Sequence, residues 1–119
     1  MEPLNRSLCP IATTLDLVGD KWSLVIVRDL LTGKTRYGEF LSSPEGISTN
    51  ILADRLKRME AEGLVEKRAY QEHPVRYEYR LADKGRGLHP VLQEICRWAN
   101  RHFPDTWVPP ESFMRPESE

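Results

Sequence analysis

The sequence predicts a mainly α-helical domain that carries one small antiparallel β-hairpin. Apolar residues recur three and four apart along several segments, which is the spacing of one helical face, and between residues 64 and 81 the period drops to two. A length of 119 residues with 39% hydrophobic and 29% charged side chains allows one core and excludes a disordered or fibrous chain.

The first helix is expected over residues 11–18, "IATTLDLV", where Ile11, Leu15 and Val18 share a face and Gly19 is suited to end it. Asp20 can cap the next segment, "KWSLVIVRDLL", whose apolar residues run nearly all round the cylinder. That pattern predicts a buried central helix with Trp22, Val25, Ile26, Val27 and Leu30 in the core.

Gly33, Lys34 and Thr35 follow, the three letters that close a nucleotide-binding phosphate loop. Such a loop needs a first glycine five positions before the second, preceded by a strand, and here that position is Arg28 inside a helical pattern. The tripeptide is read instead as a helix-to-helix connection, with Gly33 where positive φ is most useful. A short helix in "RYGEFLSS" then turns Tyr37, Phe40 and Leu41 inward.

After the turn cluster "SPEG", the segment "ISTNILADRLKRMEAEG" carries the clearest helical signals in the chain. Ser48 is the N-cap, Ile47 and Leu52 can form a hydrophobic staple, Gly63 is the stop, and Leu52, Leu56 and Met59 form the core stripe. Asn50, Asp54 and Lys57 lie on the opposite side, flanked by Ala53 and Arg58. The strands "LVEKRAY" and "VRYEYRL" come next, joined by "QEHP", with Tyr77, Tyr79 and Leu81 on the buried face. Helix resumes from Leu81 to Phe103 with a stripe of Leu88, Val91, Leu92, Ile95, Trp98 and Ala99, and Pro90 falls in its first turns. The domain is bounded at residues 9–104, with an N-terminal arm at 1–8. The tail at 105–119, acidic, proline-rich and without period, is expected to be extended or disordered.

Net charge excludes little. Its value is -1, and the four acids from Asp105 onward against Arg115 put -3 in the tail, leaving the remainder mildly basic at +2. The apolar window "WSLVIVRDLL" is interrupted by Arg28 and Asp29 and falls short of the roughly 20 residues of a membrane span. No basic-then-apolar leader opens the chain, so a cytoplasmic location is expected, and Cys9 and Cys96 do not make a secreted disulfide framework. His73, His89 and His102 lack metal-ligand spacing with each other or with the cysteines. No nucleophile–base motif or glycine-rich cofactor loop is present, so neither metal, cofactor nor enzymatic activity is expected.

Short helix, turn, capped amphipathic helix, charged hairpin, long helix: this order is that of a winged helix-turn-helix, whose partner is double-stranded DNA. On that reading Ser48, Thr49 and Asn50 open the recognition helix, with Asn50 placed for a paired contact to an adenine edge. Lys57 and Arg58 meet phosphates, Lys34, Arg36 and Tyr37 touch the backbone from the preceding helix, and His73 and Arg76 at the wing tip reach phosphate or the minor groove. Asp54 either pairs with Arg58 or accepts from a cytosine amine. For each charge the competing reading is a solvated surface. A winged helix that docks on another protein is the rival function.

The stretches "GDKW" leading into "LVIVRDLL", then "RYGEF", "GIS", "LADRLKRMEAEGLVEK", "YEYRLADKG" and "WA" resemble the HxlR-type family of bacterial winged-helix regulators, from Cys9 to Ala99. The resemblance implies a homodimer held by the first and last helices that binds an inverted-repeat operator and represses or activates neighbouring genes, with a repressor the expected case. The apolar faces of "IATTLDLV" and "LHPVLQEICRWA" suit such pairing. Several members sense electrophiles or oxidants through a cysteine near the N-terminus, and Cys9, just before Pro10, stands at the matching position. The bland reading of Cys9 is a small buried residue, and a small-molecule ligand between the dimer helices is the competing signal. Cys96 falls on the apolar stripe and is assigned to packing; a Cys9–Cys96 disulfide between subunits is conceivable.

Overall fold

Pro10 fixes the start of the first helix, because its ring presets φ and the N–H it lacks would be unpaired there. In the computed structural model, which describes residues 7–115, helix α1 accordingly spans Pro10–Val18 with Cys9 as N-cap and Gly19 as C-cap. Helix α2, Ser23–Leu31, begins two residues later than the sequence pattern suggests. Trp22, not Asp20, takes the N-cap position, but the Asp20 carboxylate still serves this end of the helix, its Oδ2 accepting from the Trp22 and Ser23 backbone N–H at 3.0 and 3.1 Å across the turn that Lys21 and Trp22 form. Ile26 and Val27 are buried; Trp22, Val25 and Leu30 are half-buried, so α2 is less enclosed than expected.

Gly33 at φ 105° makes the turn out of α2, and Gly63 at φ 78° ends the helix that follows, conformations that cost a side-chain-bearing residue roughly 1–2 kcal/mol. Between them lie α3, Tyr37–Leu41, and α4, Thr49–Ala61. Glu39 reaches back from α3 to accept from the Thr35 and Arg36 N–H at 2.7 and 3.0 Å, and Phe40 is fully buried.

Strand β1, Val65–Glu72, pairs antiparallel with β2, Val75–Leu81; β2 has the expected bounds, while β1 runs on through Gln71 and Glu72, so the turn shrinks to His73-Pro74, joined by a cis peptide bond. The Tyr79 N–H donates to Thr35 O at 2.8 Å, which docks the hairpin onto the entry of α3. Tyr79 and Leu81 are buried as expected. Tyr77 is not: at 39% exposed it lies where the hairpin has left the core, and its ring meets Lys67 Nζ, 4.6 Å from the centroid.

The expected long last helix is two. Helix α5, Asp83–Arg86, is separated by Gly87 and Leu88 from α6, His89–His102, with Pro90 in its first turn. Helix α2 packs against α6 on one side and β2 on another, and around them close Val18, Ile26, Phe40, Leu52, Leu56 and Leu64.

The tail corrects the sequence reading most. Residues 105–115 are not extended away from the body: the chain folds back, forms α7 at Glu111–Met114 and buries Pro109 and Phe113. The buried amide of Gln93 on α6 donates to Phe113 O at 3.0 Å and Arg115 O at 2.7 Å, and His89 Nε2 lies 2.7 Å from Phe113 O. Asn100 Nδ2 donates to Thr106 Oγ1 and Trp107 O. Residue 104 is therefore no structural boundary. The remainder of the tail and most of the arm lie outside the described residues.

Candidate nucleic-acid interface

Helix α4 starts where its first N–H groups find an acceptor, Ser48 Oγ receiving from Ile51 N at 3.2 Å. Burial of Leu52, Leu56 and Met59 then fixes its rotation. Once that stripe faces inward, the 3.6-residue period leaves Thr49, Asn50, Ala53, Lys57 and Arg58 exposed on the outer side, all of them positions the sequence assigns to DNA. Asp54 is committed within the protein, to Arg55 and, at 4.0 Å, to Arg58. Lys57 has no ion-pair partner among the described residues.

Two ion-pair networks that sequence reasoning missed hold this helix in place. Arg55 Nε donates to Asp20 Oδ2 at 2.9 Å and so ties α4 to the connection before α2. Burial opposes ionisation of Asp20, but hydrogen bonds from Ser23, Arg55 and Trp22 outweigh it and hold the carboxyl down at about 2. The second network centres on Asp29, 3% exposed inside α2. Its Oδ2 accepts from Ser43 Oγ at 2.5 Å, its Oδ1 from Arg28 Nε and Nη2 at 3.1 and 2.8 Å, and Arg28 grips Glu45 with both terminal nitrogens at 2.7 and 2.9 Å. Ser43 and Glu45 belong to the turn between α3 and α4, so the network sets how the two helices are presented. An acid inside an otherwise apolar run was its visible trace in the sequence.

Lys34 joins the same network, donating to Ser43 Oγ at 2.7 Å while half-buried. It is set back from the surface where a phosphate contact was expected of it. Tyr37 is half-buried, turned inward as its helical spacing predicts, with its ring 6.1 Å from that of Tyr79 and on the wall of the cleft that Arg36 borders. Burial pushes the Tyr79 phenol up to about 12, so both remain neutral hydrogen-bonding groups. Arg36 behaves differently. It is exposed, its guanidinium lies 3.6 Å from the centroid of the Tyr70 ring, and its Nε is 3.8 Å from Glu78 Oε1.

The wing presents a charged ladder: Arg68 to Glu78 at 2.8 Å and Arg80 to Glu66 at 3.0 Å. At its outer end His73, Pro74, Val75 and Arg76 are all exposed, and Arg76 has no ion-pair partner among the described residues. The structure thus brings Arg36 and Arg76 to one cleft between α3 and the wing.

A second surface is apolar. Ile11 at 70% and Leu15 at 55% exposed on α1, and Val91 at 43%, Ile95 at 47% and Trp98 at 56% on α6, face solvent in the single chain. Of the expected α6 stripe only Leu92 is buried. Cys9 is exposed, which removes the reading of it as a buried packing residue. Cys96 is half-buried and packed against the core, as assigned, and burial pushes its thiol up. Both are free thiols. Among the described residues no group of His, Cys, Asp and Glu could hold a metal ion, and no helix is long and apolar enough to cross a membrane.

Comparison with known proteins agrees with this geometry. Residues 17–106 match the family of HxlR-like helix-turn-helix domains. The HTH-type transcriptional regulator YvaP of Bacillus subtilis is 38% identical over 113 residues, covering 93% of this chain and 99% of its own. Among solved structures, PA1607 superposes with a TM-score of 0.75 at 42% identity, over 87% of this chain and 73% of its own. The oxidised form of the redox regulator HypR gives 0.71 at 31% identity, over 84% and 100%, and the reduced form of the transcriptional regulator YodB from B. subtilis gives 0.68 at 32%, over 85% and 100%.

Proposed function

Because the chain belongs to the HxlR-like helix-turn-helix family, and is with it a DNA-binding transcriptional regulator and not an enzyme, we propose that it represses transcription by binding an inverted-repeat operator as a homodimer. The observation that carries the DNA-facing part is the polar front of α4, Thr49, Asn50, Ala53, Lys57 and Arg58, exposed beside a wing that ends in His73 and Arg76. A helix with that front fits a major groove, where Asn50 is suited to an adenine edge and Lys57 and Arg58 to phosphates, while Arg76 reaches the backbone or the narrow groove.

Pairing of two copies rests on the exposed faces of α1 and α6. A soluble monomer rarely leaves so many large apolar side chains in water, and a two-fold axis would set two recognition helices about one helical turn apart along DNA. The test is selection of bound duplexes from a random-sequence pool, followed by salt titration. A regulator of this kind recovers an inverted repeat and loses affinity steeply as salt rises. Asn50→Ala should relax base preference at one position per half-site, whereas Arg76→Ala should weaken all sequences alike. Recovery of no consensus and no salt-dependent binding would favour a protein-docking module instead.

We extend the proposal to redox control through Cys9. Its exposure at the N-cap of α1, where an oxidant or electrophile can reach the thiol, supports this, together with likeness to a redox regulator. Oxidation or alkylation there would alter the pairing of α1 and hence the spacing of the recognition helices. A Cys9→Ser variant should keep its operator on treatment with a quinone or hypochlorite; release like the wild type would exclude Cys9 as the sensor.

A further inference from the structure

Strand β1 carries one residue more than its partner can match. Ala69 pairs with Tyr77 and Gln71 with Arg76, which leaves Tyr70 without a partner across the ladder. An extra residue of this kind bends its strand and re-aims a side chain. Here the side chain re-aimed is Tyr70, whose ring lies 3.6 Å from the Arg36 guanidinium at the rim of a cleft of about 370 Å³ that also takes in Arg76 and Tyr77.

An exposed arginine samples many rotamers, and fixing it costs part of the side-chain freedom it carries. A ring against the flat face of the guanidinium reduces that freedom before any ligand arrives, and the in-plane N–H donors stay available. Glu78 does not neutralise the arrangement by itself: its Oε2 already accepts from Arg68 at 2.8 Å, and its Oε1 stands 3.8 Å from Arg36 Nε, beyond hydrogen-bond reach. Among the described residues no hydrogen bond engages the terminal nitrogens of Arg36. The hairpin itself is anchored at this point by the Tyr79 N–H to Thr35 O bond and by the rings of Tyr37 and Tyr79, packed with centroids 6.1 Å apart, so the platform is fixed relative to α3.

We propose that the cleft between α3 and the wing seats one DNA backbone phosphate, with Arg36 and Arg76 as its two cations and Tyr70 as a positioning residue that holds Arg36. The seat rests on the DNA-facing reading of the wing. Because only the plane of Arg36 is held and the ring carries no charge, the two residues should have separable signatures. Loss of Arg36 removes a phosphate contact. Loss of Tyr70 leaves the contact and removes its preorganisation.

The experiment measures affinity of the full chain for a random-sequence 30-base-pair duplex over a salt series. Arg36→Ala should lower the slope of log affinity against log salt by about one and weaken binding roughly tenfold at low salt. Tyr70→Ala and Tyr70→Leu should each weaken binding about three- to tenfold with the slope unchanged, Tyr70→Phe should bind as the wild type, and Arg36→Lys should behave like Tyr70→Ala. The double variant Arg36→Ala/Tyr70→Ala should be no weaker than Arg36→Ala. If Tyr70→Ala and Tyr70→Leu bind normally while Arg36→Ala is impaired, the platform role is wrong and the wing reading survives. Fully additive losses in the double variant would equally overturn the platform role. If Arg36→Ala and Arg76→Ala both bind normally, the wing does not meet DNA and the seat falls with it.

Discussion

Replacing Asp29 with alanine removes the acceptor at which α2 meets the turn before the recognition helix. Alanine would leave Ser43 Oγ, buried at 5% exposure, without the acceptor it now holds at 2.5 Å, and would remove both Arg28 contacts. Breaking a buried charged pair from one side costs about 3–5 kcal/mol when the surviving charge is stranded. Arg28 is not fully stranded: its side chain is 23% exposed and it keeps both oxygens of Glu45. The expected loss is therefore about 2–3 kcal/mol, carried mainly by the desolvated Ser43 hydroxyl and the lost charge-assisted bonds. In a chain of this size that lowers the melting temperature by roughly 10 °C. Urea unfolding followed by tryptophan fluorescence, at one fixed protein concentration, should show the midpoint falling at constant slope. Ser43→Ala alone should cost about 1 kcal/mol, and the double variant should cost less than the two losses added together, as partners in one network do. A loss below about 0.5 kcal/mol for Asp29→Ala would refute the claim that this carboxylate is a desolvated structural acceptor.

Asp20 sets an acid limit. Its folded value of about 2 lies below its ordinary 3.8, so its stabilisation is present above pH 4 and is lost as pH falls from about 4 towards 2, on the order of 2 kcal/mol in all. Asp20→Asn should lose most of that at neutral pH and show a flatter unfolding profile between pH 4 and 2, read by circular dichroism. Phe113→Ala should cost about 2–3 kcal/mol and expose the chain after Pro104 to limited proteolysis, since Phe113 is 6% exposed against His89 and Trp107. If two copies pair through α1 and α6 as proposed, Ile95→Lys should leave only monomer in sedimentation with little change in monomer fold, because Ile95 is 47% exposed in the single chain.

Helix α4 was legible in the sequence because its signals are local: an N-cap serine, a stripe at 3.6-residue spacing and a glycine stop all lie within one segment. The pattern at Tyr77, Tyr79 and Leu81 identified which residues share a face, but alternation carries no information about where along a strand the core ends, and Tyr77 lies past that point. The bulge at Tyr70 left no trace, since a single extra residue changes the register without changing the composition. Lys34 looked like a surface group because Ser43, which holds its ammonium, is brought there by its bond to Asp29, 14 residues away, whereas the inward turn of Tyr37 was already legible in the helical spacing. The tail was misread for a related reason. A four-residue helix has no period to detect, and what orders it is the Gln93 amide and the pocket for Phe113, both supplied by the body of the domain.

The most direct measurement is a hydroxyl-radical footprint of the protein on the inverted repeat recovered by selection. Two protected segments on one face of the duplex, centred about one helical turn apart, are the result the proposed pair of readers predicts, and the same selection with Asn50→Ala should recover a repeat relaxed at one position per half-site. A single protected segment, or a selected site indifferent to Asn50, would contradict a paired reader whose recognition element is the front of α4.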